Sequence, residues 1–199
     1  MNVFPTAYFP SVNYLKEFLK CDSREIEVHE HFPKQTIRNR CEILSGNGIL
    51  VLSVPIIHKH GQKQKTEEVQ IDYSTGWQID QWRAIESAYT SSPYFEDYCE
   101  EINKIIFTKH EFLIEKNEAI LAFIEKILEY KIVFEKTDSF KNLITPVKNL
   151  FLEKDDLNDF LKYQQVFSYS KPFTPNLSVL DLIFNEGPFC RKWILSTEN

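Results

Sequence analysis

Apolar and polar positions near the start of the chain predict a short helix between two extended segments. Apolar residues recur at helical spacing across residues 12–20, and Ser11 stands where an N-cap residue belongs. Residues 4–10 include Pro5 and Pro10 and are expected to be extended or looped. A short run at 25–28 predicts a strand soon after the helix.

The next segment predicts a β-hairpin. Residues 36–45 alternate, so that every second side chain falls on the same face of a strand. The Gly-Asn-Gly sequence at 46–48 is typical of a tight hairpin turn. Residues 49–57 are almost wholly apolar, which predicts a strand covered on both faces, and 69–71 marks a further short strand.

The second half of the chain has mostly helical periodicity. Apolar residues share one helix face in the segments 79–89, 98–106, 113–128 and 177–184. Between them lie a β-like run at 131–134 and one or two predicted helical turns at 156–161. Ser178 followed by Asp181 matches a capping box at the start of the last helix.

Strands that come early and helices that come late favour an α+β fold over an alternating α/β one. We expect a small, mostly antiparallel sheet in the N-terminal half, packed by helices from the C-terminal half. At 199 residues the chain is long enough to bury its own core, so we expect one domain, 1–199.

The composition of the chain limits the classes of function that we expect. The net charge is −6, whereas nucleic-acid-binding domains are basic, so no nucleic-acid partner is expected. Only 5 glycines are present, which disfavours a Gly-rich phosphate loop. No apolar stretch is long enough for a membrane span, and MNVFPTAYFP lacks the features of a secretory signal. The cysteines form no C-x-x-C pair and are expected to be free thiols in a cytoplasmic protein.

Five segments, in order along nearly the whole chain, resemble the WbqC-like family. They are AYFPSVNYL (7–15), HFPKQTIRNR (31–40), LSVPI (52–56), WRAIE (82–86) with SSPYF (91–95), and FTPNLSVLDLIFNEG (173–187). The resemblance implies a context in cell-surface polysaccharide assembly of the O-antigen type, without fixing a reaction. Residues 108–160 depart from longer relatives, which carry a Gly- and Tyr-containing segment there.

A cationic cluster in the second of these segments is the first candidate site. It comprises His31, Lys34, Gln35, Arg38, Asn39 and Arg40. In a strand, Arg38 and Arg40 would share a face. Both guanidinium groups could then donate hydrogen bonds to one phosphate or carboxylate, such as the phosphate of a nucleotide-sugar. The alternative is an exposed face on which both arginines pair with nearby acids such as Glu42.

Two residues of the cluster have more specific roles to test. Asn39 would face inward with Ile37 and Cys41, where its amide must be hydrogen-bonded, either to a substrate or as a structural pin. His31, beside Lys34 and the arginines, would be kept neutral and is the candidate general base.

Metal and thiol chemistry are weaker alternatives. The histidine pairs at 29/31 and 58/60 have a spacing that can bind Zn²⁺, but no H-E-x-x-H motif is present, and solvated histidine is the simpler explanation of the pair at 58/60, which lies in a Lys- and Gln-rich loop. No metal or cofactor is specified by the sequence. Cys41 beside Arg40 could have a lowered pKa, or it could pack beneath the sheet.

The last candidates are a helix face and an aromatic ring. Asp181 and Asn185 lie four apart and could project into a pocket, although helix capping also explains them. Tyr8 could stack on a sugar or base, although an aromatic residue in a Phe-rich chain is core by default.

These observations support two hypotheses. The first is an enzyme that transfers an acyl or aminoacyl group to the amino sugar of a nucleotide-sugar, with Arg38 and Arg40 on phosphate, Asn39 orienting the substrate and His31 accepting a proton. The second is a non-catalytic carbohydrate- or protein-binding module. An enzyme requires these side chains to converge on a concave cavity, whereas a module for protein binding would present a broad apolar patch.

Overall fold

A computed structural model describes residues 2–58, 63–143 and 162–195. The strands are β1 (Asn2–Pro5), β2 (Arg24–Glu27), β3 (Arg40–Ser45), β4 (Gly48–Ser53) and β5 (Glu135–Lys136). The helices are α1 (Val12–Lys20), α2 (Trp77–Tyr89), α3 (Phe95–Phe107), α4 (Leu113–Leu128), α5 (Val179–Glu186) and α6 (Cys190–Leu195). The predicted turns at 156–161 and His60 lie outside the described residues.

The larger sheet is parallel, which corrects the expectation of a mostly antiparallel one. Its order is β1-β2-β5, and both pairings are parallel. The strands β1 and β2 are joined by α1, the crossover that parallel neighbours require. The sequence prediction missed β1 because its residues overlap the proline-containing segment 4–10. The α+β class itself is confirmed by the combination of small sheets and packed helices.

The predicted hairpin forms, but it is shorter and more exposed than expected. Ser45 pairs with Gly48 around a two-residue turn, and β3 begins only at Arg40 because residues 36–39 form turns. The strand β4 is not covered on both faces: Ile49 is 56% and Val51 46% exposed. Among the described residues only β3 pairs with β4, so its uninterrupted apolar sequence does not mark a central strand.

The helices match the periodicity closely. Ser11 caps α1 by accepting from the Tyr14 amide, and α4 has the predicted bounds. The run at 131–134 is not a strand, and 69–71 makes only isolated bridges. Buried faces of α1, α4 and α5 supply much of the apolar core. Within the described ranges, no helix is both long and apolar enough to span a membrane.

Candidate functional site

Two helices, α1 and α5, begin side by side. Ser11 and Ser178, their N-cap residues, form an antiparallel bridge. The Val12 amide donates to the Leu177 carbonyl at 3.1 Å, and the Val179 amide donates to the Pro10 carbonyl at 2.8 Å. Each helix start therefore satisfies amides of the other, and the positive ends of two helix dipoles meet at one place.

The strand β3 completes this junction. The Ser178 amide donates to the Glu42 carbonyl at 2.8 Å, and the Ser178 hydroxyl donates to the Phe9 carbonyl at 2.9 Å. The predicted capping box is only half formed: Ser178 accepts from the Leu180 amide, whereas the side chain of Asp181 is bonded elsewhere. Three segments far apart in sequence are thus fixed together.

A small cleft lies where these segments meet, and we call it the junction cleft. It has a volume of about 290 Å³ including the open solvent at its mouth. Inside it there is room for about one water-sized group. Its polar lining comes from Tyr8, Ser11, Arg40, Glu42, Asn176 and Ser178.

Arg40 is the cationic side chain of the junction cleft. The residue is half-buried, and its Nε atom is buried without a hydrogen-bond partner in the part of the chain that the structure describes. Buried nitrogen donors are almost always paired in proteins. The guanidinium is therefore a candidate for an external acceptor.

Strained backbone flanks the junction cleft on two sides. Phe9 has φ +36° and Asn176 has φ +55°, both in the region that glycine favours. For a bulky residue such as Phe9 a positive φ is a genuine outlier. Strain of this kind clusters at ligand-binding and catalytic sites, which supports a functional role for the cleft.

Arg38, in contrast, is buried in the protein interior. Only 1% exposed, it forms a forked ion pair with Glu30: Nε lies 2.5 Å from Oε1 and Nη2 lies 2.7 Å from Oε2. A further bond joins Nη1 to the Thr36 hydroxyl at 3.2 Å. Because β3 begins at Arg40, Arg38 lies outside the strand and the two arginines do not share a strand face. They are therefore not placed to bind one phosphate together, contrary to the prediction from the sequence pattern.

Asn39 serves as a connection between segments. Its side-chain amide donates to the Val54 carbonyl at 3.0 Å, and its own carbonyl accepts from the Val54 amide at 2.8 Å. The Oδ1 atom is buried without a partner among the described residues. This arrangement matches the structural-pin alternative, because Asn39 does not line the junction cleft.

The remaining members of the cationic cluster lie outside the cleft. His31, Lys34 and Gln35 are exposed, and none of them lines it. Tyr8 does line it, but burial raises its pKa and its hydroxyl donates to Gln81 Oε1 at 2.7 Å. Of the predicted cluster and Tyr8, the structure brings together only Arg40 and Tyr8.

Asp181 and Asn185 form a buried network and do not line the junction cleft. Asp181 accepts from the Tyr89 hydroxyl at 3.0 Å, the Tyr163 hydroxyl at 2.6 Å and the Gln165 amide at 3.0 Å. Asn185 donates to the Asp181 carbonyl at 2.7 Å. Burial raises the pKa of the Asp181 carboxyl, and these hydrogen bonds oppose that rise.

Neither thiol nor metal chemistry finds support in the geometry. Cys41 lines the junction cleft, but burial raises its pKa to about 12, so the thiol is protonated at neutral pH. His29 is engaged with Glu67, with 3.0 Å between Nδ1 and Oε1. Within the described residues no group of three or more His, Cys, Asp or Glu side chains is placed to hold a metal ion.

The sequence does not indicate that Ser11, Glu42, Asn176 and Ser178 line one cleft. The i+2 spacing of Glu42 to Arg40 is the one available signal, because it places both on one strand face. Helix capping already accounts for both serines, and nothing local indicates that two capped helix starts meet.

The fold and the cleft define an α+β protein with a small polar cleft at the meeting point of two helix N-termini. The family model for the WbqC-like protein family matches residues 6–153, and the chain belongs to that family. It is 25% identical over 210 residues to "Uncharacterized protein Rv1507c" of Mycobacterium tuberculosis (strain ATCC 25618 / H37Rv), covering 90% of this chain and 88% of that protein. No solved structure matches the chain.

Proposed function

We propose that this protein binds the anionic group of an activated sugar, such as a nucleotide-sugar or sugar phosphate, in the junction cleft during cell-surface polysaccharide assembly. The observation that carries the proposal is Arg40, half-buried in the cleft with an unpartnered Nε. The polysaccharide context rests on what the family resemblance implies. The ligand class rests on the chemistry of the cleft.

Electrostatics favour an anion in the junction cleft. The positive ends of the α1 and α5 dipoles lie together here, although the first amides of both helices are already hydrogen-bonded within the protein. The guanidinium of Arg40 supplies a full charge and planar donors that match phosphate and carboxylate oxygens.

The size of the cleft limits what it holds. The interior has room for about one water-sized group, so it accepts one phosphate or carboxylate oxygen rather than a whole sugar. The sugar and any nucleoside would lie at the open mouth. Binding of this kind is expected to be selective for the anionic group and tolerant of the rest of the ligand.

Binding is favoured over acyl or aminoacyl transfer. The Cys41 thiol is protonated, and the Ser178 hydroxyl is held by the Phe9 carbonyl, so neither is an activated nucleophile. His31, the predicted base, is exposed and does not line the cleft. A recognition role needs none of these groups.

The test is calorimetric titration with UDP-glucose, glucose 1-phosphate and glucose. We expect the two phosphorylated compounds to bind and glucose to bind far more weakly. Arg40→Gln should weaken phosphate-dependent binding about tenfold or more, because it removes a charge-assisted hydrogen bond.

Arg83→Gln is the matched control, since Arg83 is exposed on α2 outside the cleft. Circular dichroism should show both variants folded. Equal affinity of Arg40→Gln and the native protein for the phosphorylated compounds would contradict the proposal, as would the absence of any binding by the folded native protein.

A further inference from the structure

A second unpaired charge lines the junction cleft. Glu42 follows Arg40 at i+2 on β3, so both side chains leave the same face of the strand, with their Cα atoms about 6.6 Å apart. Both residues are half-buried and both line the cleft. Yet no ion pair within 4.0 Å and no side-chain hydrogen bond joins either of them to any described residue.

Nearby cations do not neutralise Glu42. Lys171 packs on the same hairpin, but its ammonium donates to the Ser45 carbonyl at 3.1 Å and the Gly46 carbonyl at 2.5 Å. Arg38 is bound to Glu30 on another side of the β3 start. The carboxylate of Glu42 is thus a pure acceptor, with no cation of the described chain in contact.

Opposite charges that share a small cleft without touching suit a ligand that carries both signs. One bridging molecule would pair both the guanidinium of Arg40 and the carboxylate of Glu42. The anionic end would meet Arg40. A cationic or hydroxyl-bearing end several ångströms away would meet Glu42.

We propose that Glu42 makes the junction cleft selective for ligands in which an ammonium group accompanies the anionic group, as in an amino-sugar phosphate. This inference rests on the proposed anion-binding function and names its substrate class more narrowly. Glu42 is a specificity-determining residue in this account, because it adds affinity only for the cationic group and none for the phosphate.

The experiment compares glucosamine 6-phosphate, N-acetylglucosamine 6-phosphate and glucose 6-phosphate by calorimetric titration at pH 7. The three share the phosphate and differ in an ammonium, a neutral amide or a hydroxyl. The native protein should bind the first about tenfold more tightly than the other two, because a hydrogen bond between charged groups adds to binding.

Glu42→Gln should abolish that preference while leaving the affinity for glucose 6-phosphate nearly unchanged. Glu86→Gln, an exposed change on α2, is the matched control and should keep the preference. Arg40→Gln should weaken all three ligands together, which separates the anion contact from the ammonium contact.

The outcomes distinguish this inference from the function on which it rests. If the native protein binds all three sugar phosphates equally, the role of Glu42 is refuted while anion binding stands. If it binds none of them, the role of Glu42 is refuted, and the titrations with UDP-glucose and glucose 1-phosphate decide separately whether anion binding stands. A preference that survives in Glu42→Gln would likewise refute the assignment, and the comparison with native protein alone decides the matter if that variant does not fold.

Discussion

Arg38 and Arg40 stand two residues apart and have different environments. Arg38 is buried and forms a bidentate ion pair with Glu30, whereas Arg40 lines the junction cleft. The difference arises because residues 36–39 turn before β3 begins. A pattern that treats 36–45 as one strand places both arginines on one face, so the sequence alone could not separate a structural cation from a candidate ligand-binding one.

Replacement of Arg38 should destabilise the fold strongly. Arg38→Gln leaves the Glu30 carboxylate buried without its partner, and removing one member of a buried pair costs about 3–5 kcal/mol. Urea denaturation measures the loss, and adding Glu30→Gln should restore part of it. Arg83→Gln, on the exposed face of α2, should change the free energy of unfolding by no more than about 0.5 kcal/mol. A loss below about 1 kcal/mol for Arg38→Gln would show that the pair is not buried as described.

Lys116 is a buried cation that no carboxylate neutralises among the described residues. Its ammonium donates to the carbonyls of Ile105, Ile106 and Thr108 at 2.8, 3.2 and 2.9 Å, at the C-terminal end of α3. Burial lowers its pKa to about 8. The helix end thereby gains a cap, and the fold carries the cost of a desolvated charge at neutral pH.

The pH dependence of stability should reveal Lys116. Between pH 8 and 10 the unfolded chain keeps this lysine protonated and the folded chain does not, so the free energy of unfolding rises with pH. Relative to Lys116→Met, native protein should gain about 1–3 kcal/mol over that range. Urea denaturation of both proteins at pH 7.5 and 9.5 gives the difference between their free energies of unfolding. The contributions of other titrating groups are common to both proteins and cancel in that difference. A constant difference would mean that Lys116 keeps its ordinary pKa.

At the scale of elements, helix ends are fixed by single backbone positions. Gly187 follows α5 at φ +53°, and a Cβ there would lie 2.5 Å from Cδ1 of the Tyr94 ring. Gly76 precedes α2 at φ +65°, but a Cβ there would meet nothing within 4 Å. The two positions share a positive φ but differ in ψ, which is 24° at Gly76 and −128° at Gly187, and in crowding.

Alanine should cost more stability at Gly187 than at Gly76. Gly76→Ala is expected to cost about 1 kcal/mol from the positive φ alone. Gly187→Ala should cost about 2–4 kcal/mol, because the ring of Tyr94 must also move. Thermal and urea unfolding of the two variants measure the difference, and equal losses would place the Tyr94 ring further from Gly187 than described.

At the scale of the whole molecule, a buried amide joins segments that are distant in sequence. Asn117 of α4 donates to the Thr6 hydroxyl at 3.0 Å and to the Arg38 carbonyl at 2.9 Å. The N-terminal segment, the turns before β3 and the longest described helix therefore meet at one side chain. Thr6 and Arg38 each stand two positions before a residue that lines the junction cleft, Tyr8 and Arg40 respectively.

Loss of the Asn117 amide should weaken the whole fold. Asn117→Leu keeps the approximate volume but leaves the acceptors on Thr6 and Arg38 unpaired, at a cost of about 2–4 kcal/mol. The transition should remain cooperative, with an unchanged dependence on urea concentration. Asn103→Leu on α3, where no hydrogen bond to a described residue is lost, is the control. A similar effect of the two changes would remove the special role of Asn117.

Much of the local structure was determined by the sequence itself. The bounds of α1 and α4, the Ser11 cap and the turn at 46–47 agree with it, because helical periodicity, capping residues and turn residues act within a few positions of one another. The net charge and the family resemblance also follow from the sequence alone.

The tertiary structure alone decided which strands and side chains meet. The pairing of β2 with β5 joins Glu25 to Glu135, and the junction cleft joins Tyr8, Arg40 and Ser178. The parallel order and the side chains that meet in the cleft depend on contacts between residues tens to more than a hundred positions apart, and even the Arg38–Glu30 pair, eight positions apart, depends on the turns between them. A periodic pattern records which face of an element is buried, and the packing of the whole chain determines what that face is buried against.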